Sequence, residues 1–151
     1  MLMMAILSVG AIIYDSKGKL LLQKRDLKKS IYFPGLWGVF GGACEKNESP
    51  SETIVREIYE ELQISIAPPK LFITMEINSV DLGSEQRKRH FYEIYFSEEM
   101  KCNIALQEGA GYDFFNPKQL PAATEMVPFD LAAVTMFVHS RLSRQQIRPI
   151  F

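Results

Sequence analysis

Four glutamates and one arginine stand at regular spacing between residues 48 and 61 of this 151-residue chain. The acids are Glu48, Glu57, Glu60 and Glu61, and the base is Arg56. At about 100° per residue, Arg56 and the three later glutamates share one side of a helix. Hard divalent cations such as Mg²⁺ prefer carboxylate oxygens and leave coordination places for water and phosphate. The spacing therefore indicates a helix face that could hold a divalent cation against a phosphate group.

The helix that carries these groups has clear start signals. Ser49 suits the N-cap, Pro50 suits the first helical position, and Glu52 completes a capping box with Ser49. Glu48 precedes the cap, where the preceding Gly-Gly loop could bring it back toward the acidic side. The opposite side of the helix is predicted to pack on the core, and its members are Ile54, Val55, Ile58, Tyr59 and Leu62.

The rest of the chain is predicted to form strands and one further helix. Apolar runs bounded by Gly, Pro and Asp turn residues mark the strands. The predicted strands are 9–13, 20–25, 37–40, 71–77, 87–96 and 113–116, with a turn at 81–85, a polar connection at 97–105, and a helix at 129–142 before a basic tail. This order indicates an α+β fold in which helices cover a mixed sheet on two sides.

Composition limits the classes of function. With 47% hydrophobic residues, the chain can bury a core, and residues 1–151 are predicted to form a single domain. The net charge of −1 gives no basic field for a nucleic acid polymer or an anionic membrane. Cys44 and Cys102 are isolated and only two histidines are present, which argues against zinc and favours free thiols in the cytoplasm. The apolar N-terminus has no preceding basic residue and is too short to span a bilayer.

A charged helix face alone is usually just solvated, but the wider spacing around it is more specific. Five residues separate Gly42 from Glu48, and seven more precede the run Arg-Glu-Ile-Tyr-Glu-Glu at 56–61. This pattern resembles the signature of the Nudix hydrolases at every specified position except one. The exception is Gln63, which stands where the signature has glycine, and Phe40 also replaces a proline that many members have.

The glycine of the signature ends the helix in the left-handed conformation. That conformation costs a non-glycine residue about 1 kcal/mol. We therefore expect a strained or altered helix exit at Gln63. Because Gln63 has no role in metal binding, the chemistry should survive the replacement.

The resemblance to Nudix hydrolases implies a fold, an activity and a set of roles. The fold would be an α/β/α sandwich with a mixed sheet, and the activity would be metal-dependent hydrolysis of a diphosphate linkage, with Mg²⁺ or Mn²⁺. Glu57, Glu60 and Glu61 would bind the metal, Arg56 would orient a carboxylate, and Glu48 would support the loop or an outer shell. The base that activates water would be a helix carboxylate or an acid in the loop before the last strand.

Two acids are candidates in that loop. Asp113 stands just before an aromatic pair, where MutT-type relatives place an acid that can reach the metals, and Glu108 lies a few residues earlier. The alternative for both is turn chemistry, since acids beside glycine commonly just solvate a loop.

Basic residues near the signature are candidates for phosphate contacts. Arg25 ends the second strand, where MutT-type relatives keep a basic pair, and a planar guanidinium suits phosphate oxygens. A solvated strand end is the alternative. The Gly41 and Gly42 backbone is also expected to lie against substrate. The basic run at 87–90 is interpreted mainly as solubilising charge, with contact to an anionic substrate as the alternative.

Specificity is predicted to reside before the last helix. Purine-binding relatives place base contacts in this region, where Phe129 could stack on a base and Asp130 could accept a hydrogen bond from its edge. The alternative, which we favour, makes Asp130 a residue stabilised at the helix N-terminus and Phe129 a core residue.

The leading hypothesis is a MutT-like nucleoside triphosphate pyrophosphohydrolase acting on a small nucleotide as a monomer or homodimer. A nucleotide-sugar, ADP-ribose or dinucleotide pyrophosphatase is the enzymatic alternative. A catalytically idle module that senses a nucleotide is the non-enzymatic alternative. The complete set of glutamates disfavours this last class, because loss of a metal-binding glutamate would be its expected mark.

Overall fold

The computed structural model describes residues 5–78 and 86–142. The turn predicted at 81–85 and the basic tail from residue 143 lie outside these residues. In the described part of the chain, no helix is long and apolar enough to cross a lipid bilayer.

Strands and helices follow the predicted order closely. The strands are β1 (Ile6–Tyr14), β2 (Leu20–Lys24), β3 (Trp37–Gly38), β4 (Phe40–Ala43), β5 (Lys70–Ile77), β6 (Arg87–Tyr95) and β7 (Gly111–Phe115). The helices are α1 (Pro50–Leu62), α2 (Glu98–Cys102) and α3 (Pro128–Phe137), with a π-helical turn at Val138–Leu142 and 3-10 turns at Pro117–Gln119 and Ala123–Glu125.

The described strands form one mixed sheet of seven strands, in which β3-β2-β1-β6-β5 is the central order. β4 also pairs with β1, and β7 also pairs with β2. β1 runs parallel to β6 along its whole length, from Ile6 beside Arg87 to Tyr14 beside Tyr95, and the other pairings are antiparallel. The predicted α+β fold with a mixed sheet is therefore confirmed.

Alternation along β1 builds a core on each face of the sheet. Val9, Ala11 and Ile13 pack in the cluster that contains the apolar side of α1, whereas Ile12 packs in the cluster that contains α3. Successive side chains of a strand point to opposite faces, so one strand can serve both helices. The result is the sandwich of helices around a sheet that the sequence predicted.

Helix α1 begins as predicted. Ser49 is the N-cap, its hydroxyl accepts from the Glu52 N–H, and the Glu52 carboxylate accepts from the Ser49 N–H in return. Ile54, Ile58 and Leu62 are fully buried. The predicted core position of Tyr59 is wrong, because its side chain lies at the edge of the packed face and is 51% exposed.

The exit of α1 keeps the geometry of a helix that ends in glycine. Gln63 adopts φ 58° and ψ 30°, and its N–H donates to the Tyr59 carbonyl at 2.9 Å. Its side-chain Nε2 donates to the same carbonyl oxygen at 2.9 Å. The exit is therefore not altered, and the strain of the left-handed conformation falls on Gln63 itself.

Three elements differ from the prediction. The strand predicted at 37–40 is interrupted at Val39, whose N–H donates to a carboxylate oxygen of Asp130 at 3.0 Å instead of to a neighbouring strand. The polar connection at 97–105 contains α2, which Ser97 caps by accepting from the Met100 N–H. The last helix starts at Pro128 and gives way to the π-helical turn at Val138.

Candidate active site

A cavity of about 670 Å³ collects most of the residues that the sequence singled out. Its walls come from the end of β2 and the loop after it, β4, the end of α1, β6, the loop before β7 and the start of α3. The functional side chains and glycines that line it include Arg25, Lys28, Tyr32, Phe33, Gly41, Gly42, Glu61, Arg87, Arg89, Glu108, Phe129 and Asp130. One concave surface therefore combines carboxylates, guanidinium groups and aromatic rings.

Glu61 is the most buried acid of the signature, with 4% of its surface exposed. Its Oε2 accepts from the Gly41 N–H at 3.1 Å, which joins the end of α1 to the glycine pair. Burial raises the pKa of Glu61 to about 8, and the nearby Glu57 charge adds to that increase. A buried carboxylate of this kind would be stabilised by a cation.

The glycine pair lets α1 approach β4 closely. A β-carbon at Gly42 would overlap the Glu57 carboxylate, and a β-carbon at Gly41, where φ is +154°, would overlap the Val9 carbonyl oxygen. Burial raises the pKa of Glu57, although Arg56 Nη1 lies 3.1 Å from its Oε1 and opposes the increase. Gly42 is thus required for the position of Glu57, and Gly41 for the close pairing of β4 with β1.

Arg56 and Glu48 form a two-pronged ion pair. Arg56 Nε lies 2.7 Å from Glu48 Oε2, and Nη2 lies 2.9 Å from Oε1. The Thr53 hydroxyl and the Glu45 N–H also donate to Glu48. The Arg56 and Thr53 hydrogen bonds lower the pKa of Glu48 to about 2. Glu48 therefore fixes the loop to α1 as a permanently charged group.

Glu60 is placed differently from the other two glutamates predicted to bind metal. Its carboxylate accepts from Arg56 Nη1 at 2.9 Å, and 54% of its side chain is exposed. The structure therefore brings Glu57 and Glu61 together at the glycine pair, while Glu60 lies farther out on the Arg56 guanidinium.

The two candidate loop acids, Glu108 and Asp113, lie in different surroundings. Glu108 lines the cavity, and its charge raises the pKa of both Glu57 and Glu61. Asp113 lies on β7, is exposed, and accepts from the Phe114 N–H at 2.8 Å. Of the two, Glu108 lies near enough to the helix carboxylates for its charge to act on them, whereas Asp113, predicted to lie in the loop before the last strand, lies within β7 and pairs with Leu22 of β2.

Arg25 lines the cavity, as expected for a phosphate contact. Its Nε donates to the Tyr32 carbonyl at 2.9 Å, and burial lowers the pKa of its guanidinium. Asp130, Arg89 and Glu61 all contribute to its electrostatic surroundings. Arg25 is therefore a cavity residue and not a solvated strand end.

Asp130 is 2% exposed and joins three elements. One carboxylate oxygen accepts from the Val39 N–H at 3.0 Å, and the other lies 3.2 Å from Arg89 Nε. Asp130 is therefore held at the start of α3 mainly by these two contacts. The dipole of the helix, which the sequence suggested, is a weaker explanation for a buried carboxylate. Phe129 is half-buried rather than a core residue, and its ring meets Phe33 edge to face at 5.5 Å.

Sequence reasoning missed two features of this wall. The main interpretation of Arg87 and Arg89 as solubilising charge does not account for their position, because both line the cavity and the Arg89 side chain is only 14% exposed. Alternation along β6 could have revealed this, since Arg87, Arg89 and the buried Phe91 share one face. Phe33 was also missed, and it adopts a φ of 52°, which no simple sequence signal predicts.

The donor set fits a hard divalent cation. Glu57 and Glu61 supply carboxylate oxygens, and burial disfavours their anionic forms, so a cation would relieve a real electrostatic cost. Within residues 5–78 and 86–142, no three acidic, histidine or cysteine side chains are already gathered as a metal cage. Glu60, the third predicted metal ligand, accepts a hydrogen bond from Arg56 on the exposed side of the helix.

Comparison with known proteins agrees with the fold described above. A family profile described as the NUDIX domain matches residues 4–136. The fold is similar to that of the MutT NUDIX hydrolase from Burkholderia pseudomallei, with a TM-score of 0.72 and 23% identity over 87% of this chain and 97% of that one. No curated protein matches the chain at a significant level.

Two further solved structures extend the comparison. The MutT protein from Methanosarcina mazei Go1 has a TM-score of 0.69 and 20% identity over 98% of this chain and 99% of that one. The dihydroneopterin triphosphate pyrophosphohydrolase of E. coli has a TM-score of 0.65 and 19% identity, over 88% of this chain and 94% of that one. At these identities the likeness concerns the fold.

Proposed function

This chain belongs to the NUDIX family of hydrolases, which act on phosphorus-containing anhydrides, and we propose that it is a MutT-like nucleoside triphosphate pyrophosphohydrolase. Water would attack phosphorus, the anhydride bond between the α and β phosphates would break, and the products would be a nucleoside monophosphate and pyrophosphate. The observation that carries the proposal is the single cavity in which carboxylates, arginines and aromatic rings meet.

Glu57, Glu60 and Glu61 would hold Mg²⁺ or Mn²⁺. When bound, such a cation polarises the phosphoryl group and makes a water molecule more acidic. Glu61 supports this assignment because it is buried and already fixed by the Gly41 N–H at 3.1 Å. Glu60 would leave Arg56 or share it, since its exposed side chain can rotate on the helix surface.

Arg56 and Glu48 would act as positioning residues. The two hydrogen bonds between them attach the loop after the glycine pair to α1, and Arg56 Nη1 also donates to Glu57. Catalysis of phosphoryl transfer depends mainly on placement and charge, so this bracing would contribute through the metal-binding carboxylates.

Glu108 would accept the proton of the attacking water. It lines the cavity beside Glu57 and Glu61 but is itself exposed, so it can exchange protons with solvent. Its position favours it over Asp113. The proton would pass from the water oxygen to the Glu108 carboxylate as the bond from oxygen to phosphorus forms.

The basic and aromatic wall would bind the nucleotide. Arg25 would contact phosphate oxygens. The Gly41 and Gly42 backbone, which lines the cavity, would lie against the substrate. Phe129, with Phe33 beside it, offers a ring on which a base can stack. Asp130 would act through Arg89, because one of its oxygens already binds Val39 and the other binds Arg89.

The proposal also covers the cellular compartment, the class of binding partner and the oligomeric state. Cys44 and Cys102 are both free thiols, which suits a reducing cytoplasm. The net charge of −1 suits a small anionic substrate bound at a local basic wall better than a nucleic acid polymer bound across a surface. We also propose that the protein is a monomer or homodimer.

The decisive experiment is a substrate panel with Mg²⁺, in which products are identified by mass. It would contain the nucleoside triphosphates, oxidised purine triphosphates, nucleotide sugars, ADP-ribose and dinucleotides. Release of pyrophosphate with a nucleoside monophosphate is the expected result. Cleavage of only the sugar or dinucleotide substrates would replace this proposal with the pyrophosphatase alternative, and nucleotide binding without turnover would support an idle module.

A further inference from the structure

We propose that Gln23 is a positioning residue that holds Glu108 against the helix carboxylates. This inference rests on the proposed function, since it assigns Gln23 a role through the loop acid of that reaction. Gln23 lies on β2, lines the cavity and is 6% exposed. Gln23 follows three buried leucines in β2, and a buried primary amide loses hydration unless its polar atoms are bonded.

The amide nitrogen of Gln23 bonds the loop that carries Glu108. Nε2 lies 3.1 Å from the Glu108 carbonyl oxygen, across 85 residues of sequence. Because two oxygens at this distance would repel, the NH₂ group must face the carbonyl. The bond acts on the backbone of Glu108 itself, so it fixes the position from which the carboxylate extends.

Gly109 allows this contact. Its φ is +92°, and a β-carbon there would lie 2.7 Å from Gln23 Nε2 and 3.0 Å from Gln23 Cγ. The loop therefore lies directly on the Gln23 side chain, and any larger residue would push the two apart. The left-handed backbone at Gly109 and the buried amide are complementary parts of one contact.

Backbone bonds hold the loop on either side of Glu108. The Gln107 N–H donates to the Glu61 carbonyl at 2.8 Å, and the Ala110 N–H donates to the Lys24 carbonyl at 2.9 Å. These bonds attach the loop to the end of α1 and to the end of β2. Gln23 supplies the central attachment, at the residue whose carboxylate faces the cavity.

The test is a double-mutant cycle between Gln23→Met and Glu108→Gln. Methionine keeps the length and volume of glutamine but removes the donor. We expect Q23M to lower kcat about tenfold with KM within about twofold, because the loop acid is misplaced and not removed. In the Glu108→Gln background, Q23M should have no further effect on kcat.

Two readouts besides activity separate positioning from folding. Thermal melting of the metal-free variants should show Q23M within a few degrees of the wild type, and Mn²⁺ affinity measured by calorimetry should change less than about threefold. Gln119→Met is the matched control, since Gln119 is exposed on the 3-10 turn at Pro117–Gln119. If Q23M does not fold, Gly109→Ala disturbs the same contact from the loop side and replaces it in the cycle.

The outcomes are distinct. A wild-type kcat in Q23M, or an equal loss of kcat with and without Glu108, would overturn the role of Gln23. A Glu108→Gln variant with full activity would overturn it as well. If the wild type cleaves a nucleotide sugar and releases no pyrophosphate from any triphosphate, the proposed function fails, and the cycle on that substrate still decides the role of Gln23.

Discussion

Arg56 and Glu48 meet through two parallel hydrogen bonds, at 2.7 Å and 2.9 Å, across the junction between the glycine loop and helix α1. The fork of a guanidinium matches the two oxygens of a carboxylate, whereas an ammonium group can make only a point contact. The same arginine also reaches Glu57 and Glu60. The Arg56 guanidinium thus sets the arrangement of Glu48, Glu57 and Glu60.

Arg56→Lys should therefore lower turnover at least tenfold and the Tm by about 3 °C or more, although the charge is kept. The lysine cannot hold Glu48 and Glu57 at once, so the carboxylates lose their spacing. Steady-state kinetics with saturating Mg²⁺ and thermal melting would check both effects. Lys101→Arg, the reverse exchange at an ion pair away from the cavity, is the control, and an active, stable R56K protein would contradict the bracing role.

Glu61→Gln and Glu60→Gln should both reduce turnover strongly, but only the first should stabilise the protein. Glu61 is buried with a pKa raised to about 8, so removal of its charge should stabilise the metal-free protein at pH 8 by about 1–3 kcal/mol. Glu60 is exposed and bonded to Arg56, so its replacement should stabilise nothing. Denaturant unfolding at pH 8 measures the difference, and a destabilised E61Q protein would speak against the burial argument.

The pH dependence of stability follows from Glu61. Its folded pKa of about 8 lies above its unfolded value of 4.5, so the folded state binds more protons between these values. The free energy of unfolding of the metal-free protein should then fall as pH rises from about 5 to 8, by at most about 1.4 kcal/mol per pH unit. E61Q should flatten this slope.

Mg²⁺ should also change how the free energy of unfolding depends on pH, since it binds the deprotonated Glu61 carboxylate and competes with the proton. Saturating Mg²⁺ is expected to reduce the loss of stability toward pH 8, and activity should rise on the alkaline side. A rate maximum near pH 5, or a slope that E61Q leaves unchanged, would contradict this account.

The sequence predicted most of what positions the site. The capping box at Ser49, the buried face of α1 and the alternation along β1 follow from local rules, because each depends on residues close in the chain. The signature also identified Glu57 and Glu61, which lie near each other at the glycine pair. These are the parts in which sequence spacing determines spatial proximity.

Contacts between distant segments could not be predicted in this way. Whether Glu108 or Asp113 reaches the cavity depends on how the loop before β7 is attached to β2 and α1. The burial of Arg89 depends on Asp130, which is 41 residues away in sequence. Alternation along β6 indicates which face Arg89 shares with Phe91, but no periodicity indicates that Asp130 is its partner.

Asp130→Asn should distinguish a structural carboxylate from one that reads a base. The amide can still accept from the Val39 N–H, but it leaves the largely buried Arg89 without its counter-charge. We expect a loss of about 2–4 kcal/mol in the free energy of unfolding, measured with denaturant. The ranking of nucleotide substrates should stay the same. A protein of normal stability with a changed base preference would instead support direct base contact by Asp130.

Gln63→Gly should stabilise the protein by up to about 1 kcal/mol, because glycine adopts the left-handed conformation without strain. Part of the gain is offset by the greater freedom of glycine in the unfolded chain and by the loss of the side-chain bond to Tyr59. Gln63→Ala keeps the strain and loses the bond, so it should be less stable than the wild type. Denaturant unfolding of the three proteins should give the order glycine, glutamine, alanine, with kcat unchanged throughout. An alanine variant as stable as the glycine variant would show that φ 58° imposes no cost at this exit.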